Sequence, residues 1–459
     1  MFQLTTRSLA RRPGGFLAGF LAVFFGAAMV MAFGSLLDTA AQPGAPESSV
    51  ETLEVMAFVV GGWGLALVTF AVVSTMSLTV RQRAREMALL KSVGATPGQL
   101  RRLVVGETLA LALVAAVAAI PVAMALGRLL FAALEESGQI EAGMSHAFGP
   151  VAVSMGMANA LLAALVGALI TARRATATHA AEALADASGA GGGGPLMGRG
   201  RWLMTLLALV ATAASVTVTL TVLDGEGVDV ITGAGPGVVA ASVLLALLSP
   251  VLLRGLAAVL GGPLRLLCGV SGELAVRNVR QRTGELARAV APVTIFTGAS
   301  AGTLSLQRVE NLQLRAEGAA ILEDSQTMET MNYVVVGIIA AFCCIMLVNT
   351  LVSATAFRRR EFGQQRLAGA TPRQVFAAVG VEGLLVAGTG IVSGLLASVL
   401  LLLPFGQARA DTWLPDDGVV WAIHGAVAGA ALLVTLAACV GTARRVVRRS
   451  SAVDAVLAA

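Results

Sequence analysis

The chain has 459 residues, of which 56% are hydrophobic and only 13% charged, with a formal net charge of +5. That balance excludes a soluble globular domain and a polar disordered chain, and it reads as a protein that crosses a membrane several times. Three scattered histidines (His146, His179, His424) offer no metal-ligand spacing, and four cysteines, mostly in apolar runs, suggest no disulfide framework.

Arg7, Arg11 and Arg12 precede a run that is uncharged from Phe16 to Leu37. As a helix that run is roughly 33 Å long, enough for a first, uncleaved span. A polar loop from Asp38 to about Thr52 leads to a second span over 54–80. The third span is predicted over 104–133 and the fourth over 149–172, with Glu135, Glu136 and Glu141 in the loop between them. A Gly-rich linker, 186–201, contains Gly191 to Gly194 and Pro195; composition of this kind gives flexibility and no packing surface. Two central spans are expected over 202–223 and 236–262, joined by the acidic loop Asp224–Asp229.

The chain then repeats itself. Leu274-Ala-Val-Arg277 through Gly284 parallels Leu4-Thr-Thr-Arg7 through Gly14, so the weakly hydrophobic stretch 286–304 is the counterpart of the first span. A polar segment, 305–330, is followed by spans over 331–356, 375–404 and 418–442. Thr442-Ala-Arg-Arg445 closes the second set as Thr171-Ala-Arg-Arg174 closes the first. With residue 1 placed in the cytoplasm, every Lys and Arg except Arg128, Arg308, Arg315 and Arg409 falls in or beside an inner segment. This is the positive-inside bias, and it places both termini in the cytoplasm of a multi-pass cell-membrane protein. The expected fold is an all-α integral membrane protein of ten transmembrane helices: two parallel four-helix units, 1–185 and 270–459, with two central helices in 202–269. No charged relay is expected inside the spans, and Trp202, Trp413 and Trp421 fall near span ends as interfacial anchors.

The sharpest repeat lies between the second and third spans of each unit. It pairs Arg83 with Arg358, Arg85 with Arg360, Glu86 with Glu361, Gly94 with Gly369 and Ala95 with Ala370. Further on it pairs Thr96 with Thr371, Pro97 with Pro372, Gln99 with Gln374, Val104 with Val379 and Glu107 with Glu382. Arg and Glu three apart share a helical face. Glycine suits a left-handed C-cap, and Thr-Pro-x-Gln suits an N-cap with proline in the first turn and a capping box. Each copy therefore predicts a rigid helix–turn–helix elbow, with Glu107 and Glu382 near the inner interface. Positive-inside charge alone would explain the arginines, but not the repeated Gly, Thr, Pro and Gln.

Arg-Glu followed by Gly-Ala-Thr-Pro-x-Gln between two spans resembles the signature of FtsX-like permease domains, the membrane subunits of certain ABC systems. The resemblance covers both four-span units. It implies a cytoplasmic ATPase partner, contacted through Arg85, Glu86, Gly94, Ala95, Thr96 and Gln99 in one elbow and Arg360, Glu361, Gly369, Ala370, Thr371 and Gln374 in the other. It implies ATP and Mg in that partner and no cofactor, metal or nucleic acid for this chain. A Walker loop would need Gly-Lys-Ser/Thr, and the sole lysine, Lys91, follows Leu90 in an elbow helix. Two elbows suit a homodimeric ATPase per permease chain. Leu89-Leu90 in the first copy becomes Gln364-Gln365 in the second, so the elbows are expected to dock unequally. The short loops after spans one and seven leave no room for the large external domain that many relatives carry. The function expected is export or extraction of a lipophilic or peptide substrate, or mechanical signalling across the membrane. The alternatives are an ion-gradient-driven transporter and a non-transporting regulator of cell-envelope enzymes.

Overall fold

The computed structural model describes residues 13–62, 65, 68–69, 72–73, 89–90, 93–177, 197–225, 227, 230–281, 283–316, 324–356 and 358–449. Among these residues there is no strand. The helices are α1 (Pro13–Ala40), α2 (Glu47–Val55), α3 (Pro97–Glu136), α4 (Pro150–Ala177), α5 (Arg199–Thr221) and α6 (Val230–Leu247). They continue with α7 (Ser249–Gln281), α8 (Thr283–Ala316), α9 (Asp324–Ala356), α10 (Arg359–Leu367), α11 (Pro372–Ala410) and α12 (Gly418–Arg449). A short π-helical stretch, Met56–Val60, follows α2 directly. Among the described residues, ten helices are long and apolar enough to cross a membrane.

Eight of these coincide with spans expected from the sequence, and two places differ. About half of the span predicted over 54–80, Trp63 included, lies outside the described residues. The single span predicted over 236–262 is instead two helices, α6 and α7, parted at Leu248. Pro250 is the cause: it has no N–H to give the Ala246 carbonyl. The Val251 N–H turns to Leu248 O at 3.0 Å, which leaves the Leu247 carbonyl open as well. Arg201 fills the gap from α5. Its Nε donates to Leu247 O at 2.6 Å, and its NH2 to Ala246 O at 3.3 Å and Ser249 Oγ at 3.1 Å. Orphaned carbonyls in an apolar setting need such a partner.

The chain falls into two compact units, Met1–Gly194 with Ala319–Phe342, and Pro195–Gly318 with Cys343–Ala459. In the first unit α1, α3 and α4 pack on one another. The end of this unit away from Thr96 is closed by polar contacts. Asp38, in the last turns of α1, accepts N–H bonds from Gly149 at 2.9 Å, Val151 at 3.1 Å and Ala152 at 2.8 Å. A carboxylate on the first N–H groups of α4 satisfies donors that the helix itself cannot. Beside it, Ser35 Oγ lies 3.0 Å from His146 Nε2, and the Glu141 N–H donates to Ser49 Oγ at 3.0 Å.

In the second unit α8 packs against α6, α7, α11 and α12. Val230, Val238, Leu306, Leu401, Phe405 and Val420 form part of its buried core. A Cβ on Gly394 of α11 would lie 2.8 Å from the Gly298 nitrogen of α8, so glycine is what lets these two backbones approach. The polar stretch after residue 304 is not a loop at its start: α8 runs on to Ala316 with Gln307, Glu310 and Asn311 buried. Partners make this tolerable. Gln307 Nε2 donates to Asn311 Oδ1 at 2.8 Å, and Glu310 accepts from Arg409 Nε at 3.1 Å and NH2 at 3.1 Å. Arg308 Nε donates to Asp417 Oδ2 at 2.7 Å. His424 of α12 is buried, with Nδ1 2.8 Å from Val420 O and Nε2 2.9 Å from Ser398 Oγ. The ion pair Glu310–Arg409 and His424 thus put ionisable groups inside helices where the sequence suggested none.

Candidate functional site

The second elbow is described almost entirely. Helix α10 ends by reversing its backbone: Gly369 has φ 96°, the Gly369 N–H donates to Arg366 O at 3.1 Å, and the Ala370 N–H donates to Gln365 O at 3.0 Å. This paired pattern satisfies the last carbonyls of the helix, and only glycine enters it without steric cost. Thr371, extended at φ −71° and ψ 153°, then caps α11. The Gln374 N–H donates to Thr371 Oγ1 at 3.3 Å, and the Thr371 N–H donates to Gln374 Oε1 at 2.9 Å. Pro372 occupies the first turn, where its missing N–H costs nothing.

The first elbow repeats this turn. Gly94 has φ 98°, and the Ala95 N–H donates to Leu90 O at 3.0 Å. Thr96 and Gln99 form the same reciprocal box at 3.3 Å and 3.0 Å, with Pro97 in the first turn of α3. Cβ atoms on Gly94 and Gly369 would meet nothing within 4 Å, so backbone conformation rather than crowding selects glycine at both. Arg83, Arg85 and Glu86 lie outside the described residues, and Arg360 is described only as part of helix α10.

The two elbows present different surfaces. Leu89, Leu90 and Val93 are exposed on the first, Val93 to 87%. Their counterparts are Gln364, Gln365 and Ala368, with Leu367 exposed beside them.

Behind the second elbow lies a charged cluster. Arg358 Nε donates to Glu361 Oε2 at 2.9 Å and NH2 to Glu361 Oε1 at 2.8 Å, the two-toothed form of the pair expected three residues apart. Its NH1 reaches Glu382 Oε2 on α11, and Asn278 Nδ2 of α7 donates to Glu382 Oε1 at 2.6 Å. The guanidinium also lies 5.3 Å from the centre of the Phe362 ring. Burial works against the Arg358 cation, but hydrogen bonds and attraction from Glu361 and Glu382 outweigh it and raise its pKa above the ordinary arginine value. Glu382 is thereby tied at once to the elbow helix and to α7. Glu107, its counterpart on α3, is likewise buried. Sequence reasoning singled out Glu382 but missed both Arg358 as its partner and Asn278, because no local spacing connects them. Among the described residues no three His, Cys, Asp or Glu side chains gather as a metal site would need.

A turn held by reciprocal caps and buttressed by a buried ion pair is a stiff, solvent-facing knuckle at the end of a long helix. Such a turn can carry force from one end of its helix to the other. The FtsX-like permease C-terminal family matches residues 56–180 and again residues 333–451, each stretch containing one elbow and together just over half of the chain. No curated protein matches it. The chain belongs to the FtsX-like permease family, the multi-pass membrane subunits of ABC transporters, which generally work with a separate ABC ATPase and are not themselves catalytic.

Proposed function

We propose that this chain carries the nucleotide cycle of a cytoplasmic ATPase dimer into the membrane through its two elbows. The movement drives export or extraction of a lipophilic or peptide substrate, or transmits a mechanical signal. The observation that carries this reading is the duplicated turn: Gly94 with the Thr96–Gln99 box, and Gly369 with the Thr371–Gln374 box, each at the start of a helix long enough to cross a membrane. The ATPase supplies ATP and Mg chemistry. The permease residues named in the two elbows supply contact and stiffness. One permease chain takes one ATPase homodimer, each subunit against one elbow, in a cytoplasmic membrane with both termini inside.

A mild-detergent pull-down of tagged chain from its host, followed by native mass spectrometry, tests this. The expected result is a P-loop ATPase at two copies per permease chain. Two permease chains per complex would overturn the stoichiometry, and a chain that emerges alone would overturn the coupling role. The buried Glu310–Arg409 pair and His424 are the features that favour the rival reading of gradient-driven transport, since ionisable groups within spans mark ion and proton paths. Ion-dependent uptake by the purified chain without an ATPase would decide for that rival.

A further inference from the structure

Helix α7 doubles back on itself. Gly269, at φ 54° and ψ −131°, divides it into two arms. A Cβ on Gly261 would lie 3.4 Å from the Val276 side chain, so the arms lie against each other. Arg265 Nε and Glu273 Oε2, 2.6 Å apart, tie the closed end of this hairpin, while Arg254 Nε donates to Thr283 Oγ1 at 3.3 Å at its open end. Two contacts place it along α11. Asn278 reaches Glu382, and a Cβ on Gly388 would meet Leu256 at 3.7 Å. The hairpin therefore leaves the helix bundle of its unit beside the second elbow.

The second arm carries Glu273, Arg277 and Arg280 within about two turns, too many charges for a bilayer core. The first arm, Ser249–Leu267, has the length and apolarity of a span, but it runs alongside that charged arm. The two cannot occupy the core together. Yet the hairpin is not dressed for water either. Leu266 and Leu267 beside the bend are 88% and 83% exposed, and Val259 and Leu274 are exposed with them. Helix α7 holds four arginines, Arg254, Arg265, Arg277 and Arg280, against one acid, Glu273, which pairs with both Arg265 and Arg277 at 2.6 Å and leaves the Arg277 side chain 69% exposed. A leucine edge beside a basic strip fits the boundary between acyl chains and anionic headgroups.

We propose that the α7 hairpin lies along the membrane surface at the elbow end and binds anionic phospholipid. Leu266 and Leu267 enter the acyl edge, and Arg265, Arg277 and Arg280 turn toward the phosphates. The lipid thereby buttresses the hairpin arm that holds Glu382 through Asn278. This makes Ser249–Leu267 an interfacial helix rather than a span.

The test uses the full chain reconstituted in vesicles of phosphatidylcholine alone or phosphatidylcholine with phosphatidylglycerol. Leu266→Trp places a fluorophore at an exposed position, and its emission is read as the excess over the four native tryptophans of the parent. Quenching by lipids brominated near the headgroup, with little quenching by deep bromines, is expected. In parallel, native mass spectrometry counts phosphatidylglycerol retained by the parent and by Arg277→Gln and Arg280→Gln, both at surface positions. Affinity should fall about fivefold per arginine removed. Deep quenching would make the arm a span and overturn the proposal. Absence of quenching would put the leucines in water or under a protein partner, and would overturn it as well. Equal retention of the two lipids by parent and variants would overturn the headgroup assignment.

Discussion

Arg358 holds two carboxylates with one guanidinium, Glu361 in its own turn region and Glu382 on α11. Glu382 is nearly fully buried between those partners. Removing the arginine while keeping the acid is the costly direction, because an unpaired buried carboxylate remains. Arg358→Met should destabilise the second unit by about 3–5 kcal/mol, read as a lower thermal midpoint in detergent. Adding Glu382→Gln to that variant should recover much of the loss, since the amide still accepts from Asn278 and no longer carries a charge. No recovery in the double variant would show that the cluster stabilises by packing and not by charge pairing. The glycines make a separate case. Gly94→Ala and Gly369→Ala force a left-handed alanine into open space, costing about 1–2 kcal/mol locally. They should reduce substrate-stimulated ATP hydrolysis in the assembled complex and leave membrane insertion unchanged. Stimulation at the parent's level would separate the elbow turns from coupling.

At the scale of elements, each four-span repeat of the sequence joins its first helix to the start of its last with a charged side chain. In the first repeat Asp38 of α1 caps α4; in the second, Arg308 of α8 pairs with Asp417 just before α12. The two positions correspond in the repeat that aligns Leu4 with Leu274, so the same closure is built with opposite charge. The first closure also contains His146. Burial first, and then the Arg128 charge, lower its pKa from the ordinary 6.5, against a smaller opposing pull from Asp38. A base with a lowered folded-state pKa favours the fold where it is neutral. Its contribution is complete above the unfolded value and is lost as pH falls below it toward the folded value. The parent's thermal midpoint should therefore drop from pH 7 to pH 5 by more than that of His146→Gln, which keeps a hydrogen-bonding group near Ser35 and cannot titrate there. Equal drops would remove His146 from the acid response.

For the whole molecule, what the sequence disclosed depended on the distance over which each cause acts. The elbow turns were legible because their bonds reach no further than five residues, as from Ala370 to Gln365, and each is named by Gly, Thr, Pro or Gln. All-helical architecture was legible from apolar run lengths. The break at Leu248 was not, because proline inside a long apolar run does not by itself end a helix: Pro121 and Pro292 sit within α3 and α8. What ends α6 is the pairing of Pro250 with an arginine from the neighbouring helix, many residues away in the chain. The extension of α8 past residue 304 was hidden for a related reason. Gln307, Glu310 and Asn311 read as loop until Arg409 and their own mutual bonds are known to accompany them.

Helix α11 begins at the solvent-facing Thr371 cap and continues for 39 residues, almost to Asp411. Its length is about 58 Å at 1.5 Å per residue, so it is a lever as much as a span. A tilt of about 10° about its midpoint would carry each end sideways by about 5 Å, from that same length. Arg409, in the last turn, is held to Glu310 of α8 at 3.1 Å. A stroke of that size at the elbow exceeds the reach of this ion pair. Either α8 swings with α11 as one arm, or the pair opens and exposes two charges where none had been. The close approach of Gly298 and Gly394 lies near the middle of α11, so a tilt would turn about that contact and the far-end ion pair would be loaded by it.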